Sequence, residues 1–158
     1  PMVLLRGLPG IGKSHLIQAA IYHLASYRQH AVYVTGDDLA RAIRAFEDQA
    51  DDRYRDALTK ARWLAIDDIG AGAAERSGYV AAEGYFAILD KRLRMGSRTI
   101  LSTNLGQLED KDSLAAIVGD RVMSRFTSDK CLVVAMHPLD DIRAKAGRRR
   151  AREVQEHE

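Results

Sequence analysis

Short apolar runs alternate along this chain with longer stretches whose apolar residues recur every three or four positions. Met2, Val3, Leu4 and Leu5 form the first run and read as a buried strand. Leu16, Ile17, Ala20, Ile21 and Leu24 follow at helical spacing. Ala31 to Thr35 is a second β-rich run, after which Asp37 or Asp38 can cap a helix carrying Leu39, Ile43 and Phe46 on one face. A polar stretch from Asp48 to Asp56 leads into Trp63-Leu64-Ala65-Ile66, a third buried strand. Glycines between Gly70 and Gly78 mark a loop. A long helix is then predicted from Tyr79 to Met95, with Tyr85, Phe86, Leu89 and Leu93 inward and Gly96 as its stop. Thr99 to Thr103 reads as a fourth strand, Gly119 to Phe126 as a helix, and Cys131 to Met136 as a fifth strand. This alternation predicts an α/β domain, a parallel sheet with helices on both faces. Ligands of such sheets bind at the carboxyl ends of the strands.

The first strand-to-helix junction carries the strongest chemical signal. Residues 7 to 14 read Gly-Leu-Pro-Gly-Ile-Gly-Lys-Ser, a full match to the G-x-x-x-x-G-K-[ST] phosphate loop. Gly7, Gly10 and Gly12 let the backbone wrap an anion and turn its N–H groups inward. The helix starting near Lys13 adds the positive end of its dipole. Lys13 is placed to reach the β- and γ-phosphates, and the Ser14 hydroxyl to sit on Mg²⁺. The chain is therefore expected to bind a nucleoside triphosphate.

Two further strand ends carry polar groups. The third ends in Asp67-Asp68, and two carboxylates delivered by a buried strand are costly unless they meet a cation or polar ligand. Beside a phosphate loop, Asp67 would orient the Mg²⁺ shell and Asp68 would position the attacking water. The fourth ends in Ser102-Thr103-Asn104, whose asparagine can hold that water or simply start a turn. Arg121 and Arg125, four apart, share one helix face while Val122 and Phe126 share another. Spacing alone leaves two readings of these arginines, a solvated face or phosphate contacts in trans on a neighbouring subunit.

Composition sets bounds without changing this picture. The 158 residues suit one domain, 46% hydrophobic and 29% charged, with a net charge of +2 that excludes a global basic field. Arg143, Lys145, Arg148, Arg149, Arg150 and Arg152 nevertheless cluster near the C-terminus, either as a solvated end or as contacts to DNA phosphates. One cysteine, Cys131, within an apolar run, allows no internal disulfide and fits a reducing cytoplasm. The five histidines show no metal-ligand spacing, and no apolar stretch approaches a membrane span. The sequence opens at Pro1, a strand's length before the loop, which leads us to expect a preceding N-terminal domain.

Taken together, Gly-Leu-Pro-Gly-Ile-Gly-Lys-Ser-His-Leu, Trp-Leu-Ala-Ile-Asp-Asp-Ile-Gly, Thr-Ile-Leu-Ser-Thr-Asn-Leu and Gly-Asp-Arg-Val-Met-Ser-Arg-Phe resemble the AAA+ ATPases of the helicase-loader clade. The nearest types are the DnaC and DnaI loaders and the IstB transposition helpers. The resemblance runs from residue 2 to about residue 137. It implies a three-layer P-loop NTPase core with a five-stranded parallel sheet in the order 5-1-4-3-2 and no helical lid. It makes Gly7, Leu8, Pro9, Gly10, Ile11, Gly12, Lys13, Ser14 and His15 the nucleotide-binding loop, and Asp67 with Asp68 the Walker B pair. Asp68 stands where many relatives have glutamate. Asn104 matches sensor 1, Arg125 the arginine finger acting in trans, and Arg121 a second interface arginine. Arg143 lies where larger relatives place a sensor 2 arginine.

What the resemblance implies in function is a cytoplasmic, slow, switch-like ATPase using ATP/ADP and Mg²⁺. It would bind single-stranded DNA, self-assemble and help load a DnaB-type replicative helicase. An IstB-like helper acting on duplex DNA with a transposase shares every one of these motifs. Of two other classes, a small-molecule P-loop kinase is disfavoured, because nothing resembles an arginine-rich lid and Asp67-Asp68 with Asn104 suits water activation, and a nucleotide-dependent adaptor with little hydrolysis stays open. The expected division is a core over residues 1–138 and a basic segment over 139–158.

Overall fold

In the computed structural model, residues 1–47, 52–70, 78–105 and 114–137 are described. Five strands, β1 (Met2–Arg6), β2 (Ala31–Thr35), β3 (Trp63–Asp67), β4 (Arg98–Thr103) and β5 (Cys131–Ala135), form one parallel sheet in the order β2-β3-β4-β1-β5. This is the order 5-1-4-3-2 read from the other edge. Alternation along β3 shows why the strands lie between two helical layers. Leu64 and Ile66 face one layer and Ala65 the other, all fully buried, because successive side chains point to opposite faces.

On one face lies α1 (Lys13–Ser26), whose Ile17 packs with Leu5 and Ala65. The opposite face holds α2 (Gly36–Glu47), α3 (Asp52–Lys60), α4 (Gly78–Arg94), α5 (Leu114–Val118) and α6 (Asp120–Phe126). Leu39, Ile43, Leu58, Tyr85, Leu89, Val118, Val122 and Phe126 from these helices form the main core with Leu4, Leu64, Ile66 and Leu101 from the strands. Gly119, with φ of 81°, starts α6, and Gly96, with φ of 68°, follows the end of α4.

Several local expectations change. Thr35 closes the start of α2, in place of Asp37 or Asp38. Its Oγ1 accepts the Asp38 N–H at 3.1 Å, and its hydroxyl donates to Asp38 Oδ2 at 2.7 Å. The helix begins at Gly36, so both aspartates fall in its first turn, where the dipole favours them. The second half of the polar stretch is the helix α3, whose one large buried apolar side chain, Leu58, is too little to give a periodic signal. The short helix α5, only five residues long, likewise leaves no periodic signal. Leu16, expected inward, is 52% exposed, because α1 buries little beyond Ile17. The Phe46 side chain lies outside the described residues, as do most of the Gly70–Gly78 loop, Arg143 and the whole basic segment. Among the described residues β5 is the last element, and no helix is long and apolar enough to cross a membrane.

Arg92 heads the large fully buried side chains among the described residues. From the inner side of α4 its guanidinium donates to the carbonyls of Leu58 (2.6 Å), Thr59 (3.2 Å) and Ala61 (2.9 Å), closing the carboxyl end of α3. It also donates to the Arg98 carbonyl (2.7 Å) and Thr99 Oγ1 (2.9 Å), joining that helix end to β4. Burial pushes its pKa down to about 10, well above neutrality, so the group keeps its charge and its donors.

Candidate active site

The sheet order decides what meets what. β4 lies between β1 and β3, so the residues after these three strands emerge side by side at one edge. After β1 the chain turns through residues 7–12 into α1. Gly12 begins that helix with φ of 95°, a left-handed conformation that costs a side-chain-bearing residue about 1 kcal/mol or more. After β3 come Asp67 and Asp68, and after β4 comes Asn104. The resulting pocket, about 610 Å³, is lined by the loop from Pro9 to Leu16 together with Asp68, Asn104 and Met136.

Nine of the proposed site residues therefore share one cavity. These are Pro9, Gly10, Ile11, Gly12, Lys13, Ser14, His15, Asp68 and Asn104. Lys13 is nearly buried, and its Nζ donates to the carbonyls of Gly7 (2.7 Å) and Leu8 (2.8 Å), so the cation is held against its own loop. Gly7 and Leu8 shape the loop without lining the cavity, and Leu8 is 59% exposed.

The two aspartates are treated differently by the fold. Asp67 is buried behind the cavity wall, where it accepts hydrogen bonds from Tyr33 Oη (2.8 Å, on Oδ2) and from the Ser102 hydroxyl on Oδ1. Burial, and after it the Asp67 carboxylate, raise the Tyr33 pKa, which keeps that hydroxyl protonated and donating. Gln18 Nε2 in turn donates to Tyr33 Oη at 3.3 Å, tying α1 to the same group. Asp68 reaches the cavity through a left-handed backbone, φ 60°, and its Oδ1 accepts from Asn104 Nδ2 at 2.6 Å. Strain of this kind in a non-glycine residue concentrates at functional sites.

Sequence reading missed three residues that hold this arrangement. Ser102 donates to Asp67 and accepts the Asp68 N–H at 2.8 Å, so one hydroxyl orders both aspartates. Tyr33 reads as an ordinary strand aromatic. Gly36 passes so close to the Asp68 carbonyl and Ile69 Cα that a β-carbon there would collide with both. Only Gly36's place directly after an apolar strand hinted at this. Ser102→Ala leaves the Asp68 N–H without that acceptor and removes a donor from Asp67. A loss of about 2 kcal/mol is expected in urea unfolding, from one broken charge-assisted bond and one stranded donor.

Arg121 and Arg125 are absent from this cavity wall. Arg125 Nε and Nη2 contact Asp90 Oδ1 at 2.9 and 2.8 Å, and Arg94 holds the other oxygen of that nearly buried carboxylate at 2.7 Å. Arg121 pairs with Glu83 at 3.2 Å and lies 3.8 Å over the Phe86 ring. The two arginines thus sit together on α6 against α4. The half-buried thiol of Cys131 is raised in pKa by burial and packs against the main core.

Comparison with known proteins follows the same outline. A family model described as the bacterial DnaA ATPase domain matches residues 1–134. The structure of AMPPCP-bound DnaA from Aquifex aeolicus is similar at TM-score 0.70 and 22% identity, over 96% of this chain and 45% of that one. A replication initiator DnaA bound to AMPPCP and single-stranded DNA is similar at TM-score 0.71 and 22% identity, again over 96% and 45%. The DnaC helicase loader is similar at TM-score 0.71 and 21% identity, over 86% of this chain and 78% of the loader. The chain spans less than half the length of these two DnaA structures. No curated protein matches it.

Proposed function

Because the chain belongs to the bacterial DnaA ATPase-domain family, we propose that it is an ATP-dependent DNA replication factor of the helicase-loader kind. One observation carries the ATPase reading: the phosphate loop, Asp68 and Asn104 line a single cavity, with Asn104 bonded to Asp68. DnaA structures holding AMPPCP, one of them with single-stranded DNA, support ATP and DNA as ligands. The extent of the likeness to the DnaC loader supports a helicase of the DnaB type as partner. In this reading residues 1–138 are the ATPase core, 139–158 are a basic appendage, and the protein acts in the cytoplasm.

The roles follow from placement. Backbone N–H groups of residues 10–15, which include the α1 N-terminus, bind the phosphates, and the Gly12 turn lets the backbone approach them. Lys13 exchanges a loop carbonyl for a phosphate oxygen, a stronger, charge-assisted partner. Ser14 and Asp67 would hold Mg²⁺, which when bound supplies charge neutralisation at the transferring phosphoryl group. Asp67 suits that task because Tyr33 and Ser102 fix both its oxygens while leaving each a second lone pair. Asp68 orients the attacking water and takes its proton, and Asn104 fixes the carboxylate that does so.

Arg125 completes the site of a second copy. Asp90 holds it in the free chain, and a neighbour's γ-phosphate, richer in charge than one carboxylate, draws it away. Arg121 supports the same interface. Hydrolysis to ADP and phosphate then weakens the contact, which makes turnover a switch. The test is ATPase rate per subunit against protein concentration, with and without single-stranded DNA. The rate should climb with both, and Arg125→Ala should remove the climb, by up to about 10³-fold, with AMPPCP binding unchanged. Arg94 still pairs Asp90 in that variant, so the fold is retained. A rate independent of concentration and of Arg125 would sink the assembly reading.

A further inference from the structure

The parallel sheet that gathers carboxylates at one edge gathers cations at the other. All five strands start at the same edge, and the backbone hydrogen bonds there show the order of their first residues. The Trp63 N–H donates to the His30 carbonyl (3.1 Å) and the Arg98 N–H to the Arg62 carbonyl (3.3 Å). The Thr99 N–H donates to the Pro1 carbonyl (3.2 Å) and the Met2 N–H to the Lys130 carbonyl (2.9 Å). His30, Arg62, Arg98 and Lys130 thus stand in a row, one strand spacing apart except where β1 intervenes before Lys130. At about 4.8 Å per strand the row runs roughly 19 Å. All four side chains are exposed, and Asp129 is the one carboxylate among the described residues flanking these strand starts. In a chain of net charge +2, Arg62, Arg98 and Lys130 concentrate positive charge on this edge.

Two aromatic groups accompany the row. Tyr27, 67% exposed, ends α1 just before the turn into His30. Trp63, half-buried, lies under the Arg98 guanidinium at 5.1 Å. Between Tyr27 and His30, Arg28 takes a left-handed φ of 55° at the end of α1, a conformation that glycine adopts without cost. An arginine there carries a backbone conformation that glycine would hold more easily, and its exposed side chain adds a cation beside the row.

We infer that this edge is a binding face for single-stranded DNA, on the pole of the domain opposite the nucleotide pocket. Arg28, Arg62, Arg98 and Lys130 meet successive phosphates, Trp63 braces the Arg98 guanidinium, and exposed Tyr27 offers a ring on which an unpaired base stacks. Stacking is what favours a single strand, because a duplex hides its base faces. The contact is independent of sequence and weakens with salt as phosphate counterions are released. It rests on the reading that this protein acts on single-stranded DNA, and it locates that contact away from the ATP site.

The test uses the full chain and the fluorescence anisotropy of a labelled oligothymidylate over a series of salt concentrations. The triple variant Arg62→Gln, Arg98→Gln, Lys130→Gln should reduce the slope of log affinity against log salt by about 2. Near 0.1 M salt its affinity should fall about a hundredfold. Tyr27→Ala should weaken binding about tenfold. Arg28→Gly should weaken it about fivefold while leaving thermal stability equal or higher, which a structural role for the arginine would not produce. AMPPCP binding, at the other pole, should be unchanged in every variant. Wild type that ignores single-stranded DNA would overturn the broader DNA reading as well. Wild type that binds, with an unchanged slope in the triple variant, would assign the contact elsewhere and overturn this inference alone. Equal affinity for duplex, indifferent to Tyr27→Ala, would overturn it too.

Discussion

Asp68→Asn is expected to slow ATP hydrolysis by about 10²–10⁴-fold while leaving AMPPCP affinity within a few-fold of wild type. The variant keeps the shape of the side chain, its acceptor toward Asn104 and a residue type that tolerates the left-handed φ of 60°. What it removes is the charge that orients water and accepts its proton. Single-turnover phosphate release beside an AMPPCP binding isotherm separates the two effects. An unchanged rate would remove Asp68 from the chemistry. Equal loss of binding and rate would make it a structural or phosphate-shaping residue. Asn104→Ala should show the same pattern more weakly, about tenfold, because it frees the Asp68 carboxylate to wander without removing it.

Arg92→Leu should cost the fold about 3–5 kcal/mol, the largest stability effect expected from any single charged side chain among the described residues, with a midpoint drop of roughly 10 °C in thermal unfolding. The guanidinium serves four carbonyls and one hydroxyl inside the core, and leucine serves none of them. Each acceptor stranded away from water costs about 1–3 kcal/mol, partly relieved as α3 shifts. Arg92→Lys should recover only part of the loss, since three donors on a point charge cannot span the same acceptors. A cost below about 1 kcal/mol would mean that the end of α3 is held by other contacts. Nucleotide binding by the folded fraction should be unaffected, because Arg92 does not line the pocket.

These two residues also show where reading the sequence succeeds and where it stops. Asp68 was legible because the phosphate-loop pattern is local and the apolar run before Asp67-Asp68 marks a buried strand end. Asn104 was legible for the same reason, as a polar residue at the end of a strand. Arg92 was not, because a charged residue within a helix reads as solvated. Its burial arises only when the end of α3 and the start of β4 close around it. Ser102, Tyr33 and Gly36 escaped likewise, since their partners lie on strands and loops about 34 positions away in sequence for Ser102–Asp68 and Tyr33–Asp67. Helix α3 escaped because a helix that buries little leaves little periodicity to see.

The sequence by itself determined the strands, through short unbroken apolar runs, which two-sided burial explains for β3 though not for the edge strand β5, where Leu132 and Val133 are exposed, and the phosphate loop, through glycines whose backbone demands are set within a few residues. It also determined the inward faces of α4 and α6, because a helix fixes the spacing of its own side chains. The tertiary structure decided which strand ends become neighbours. Placing β4 between β1 and β3 brings Asn104 to Asp68 beside the loop, and sets Arg62 next to Arg98 at the far edge. It also decided that Arg125 rests on Asp90. Such pairings depend on the order in which strands hydrogen-bond, a property of the whole sheet, and no local run of residues encodes it.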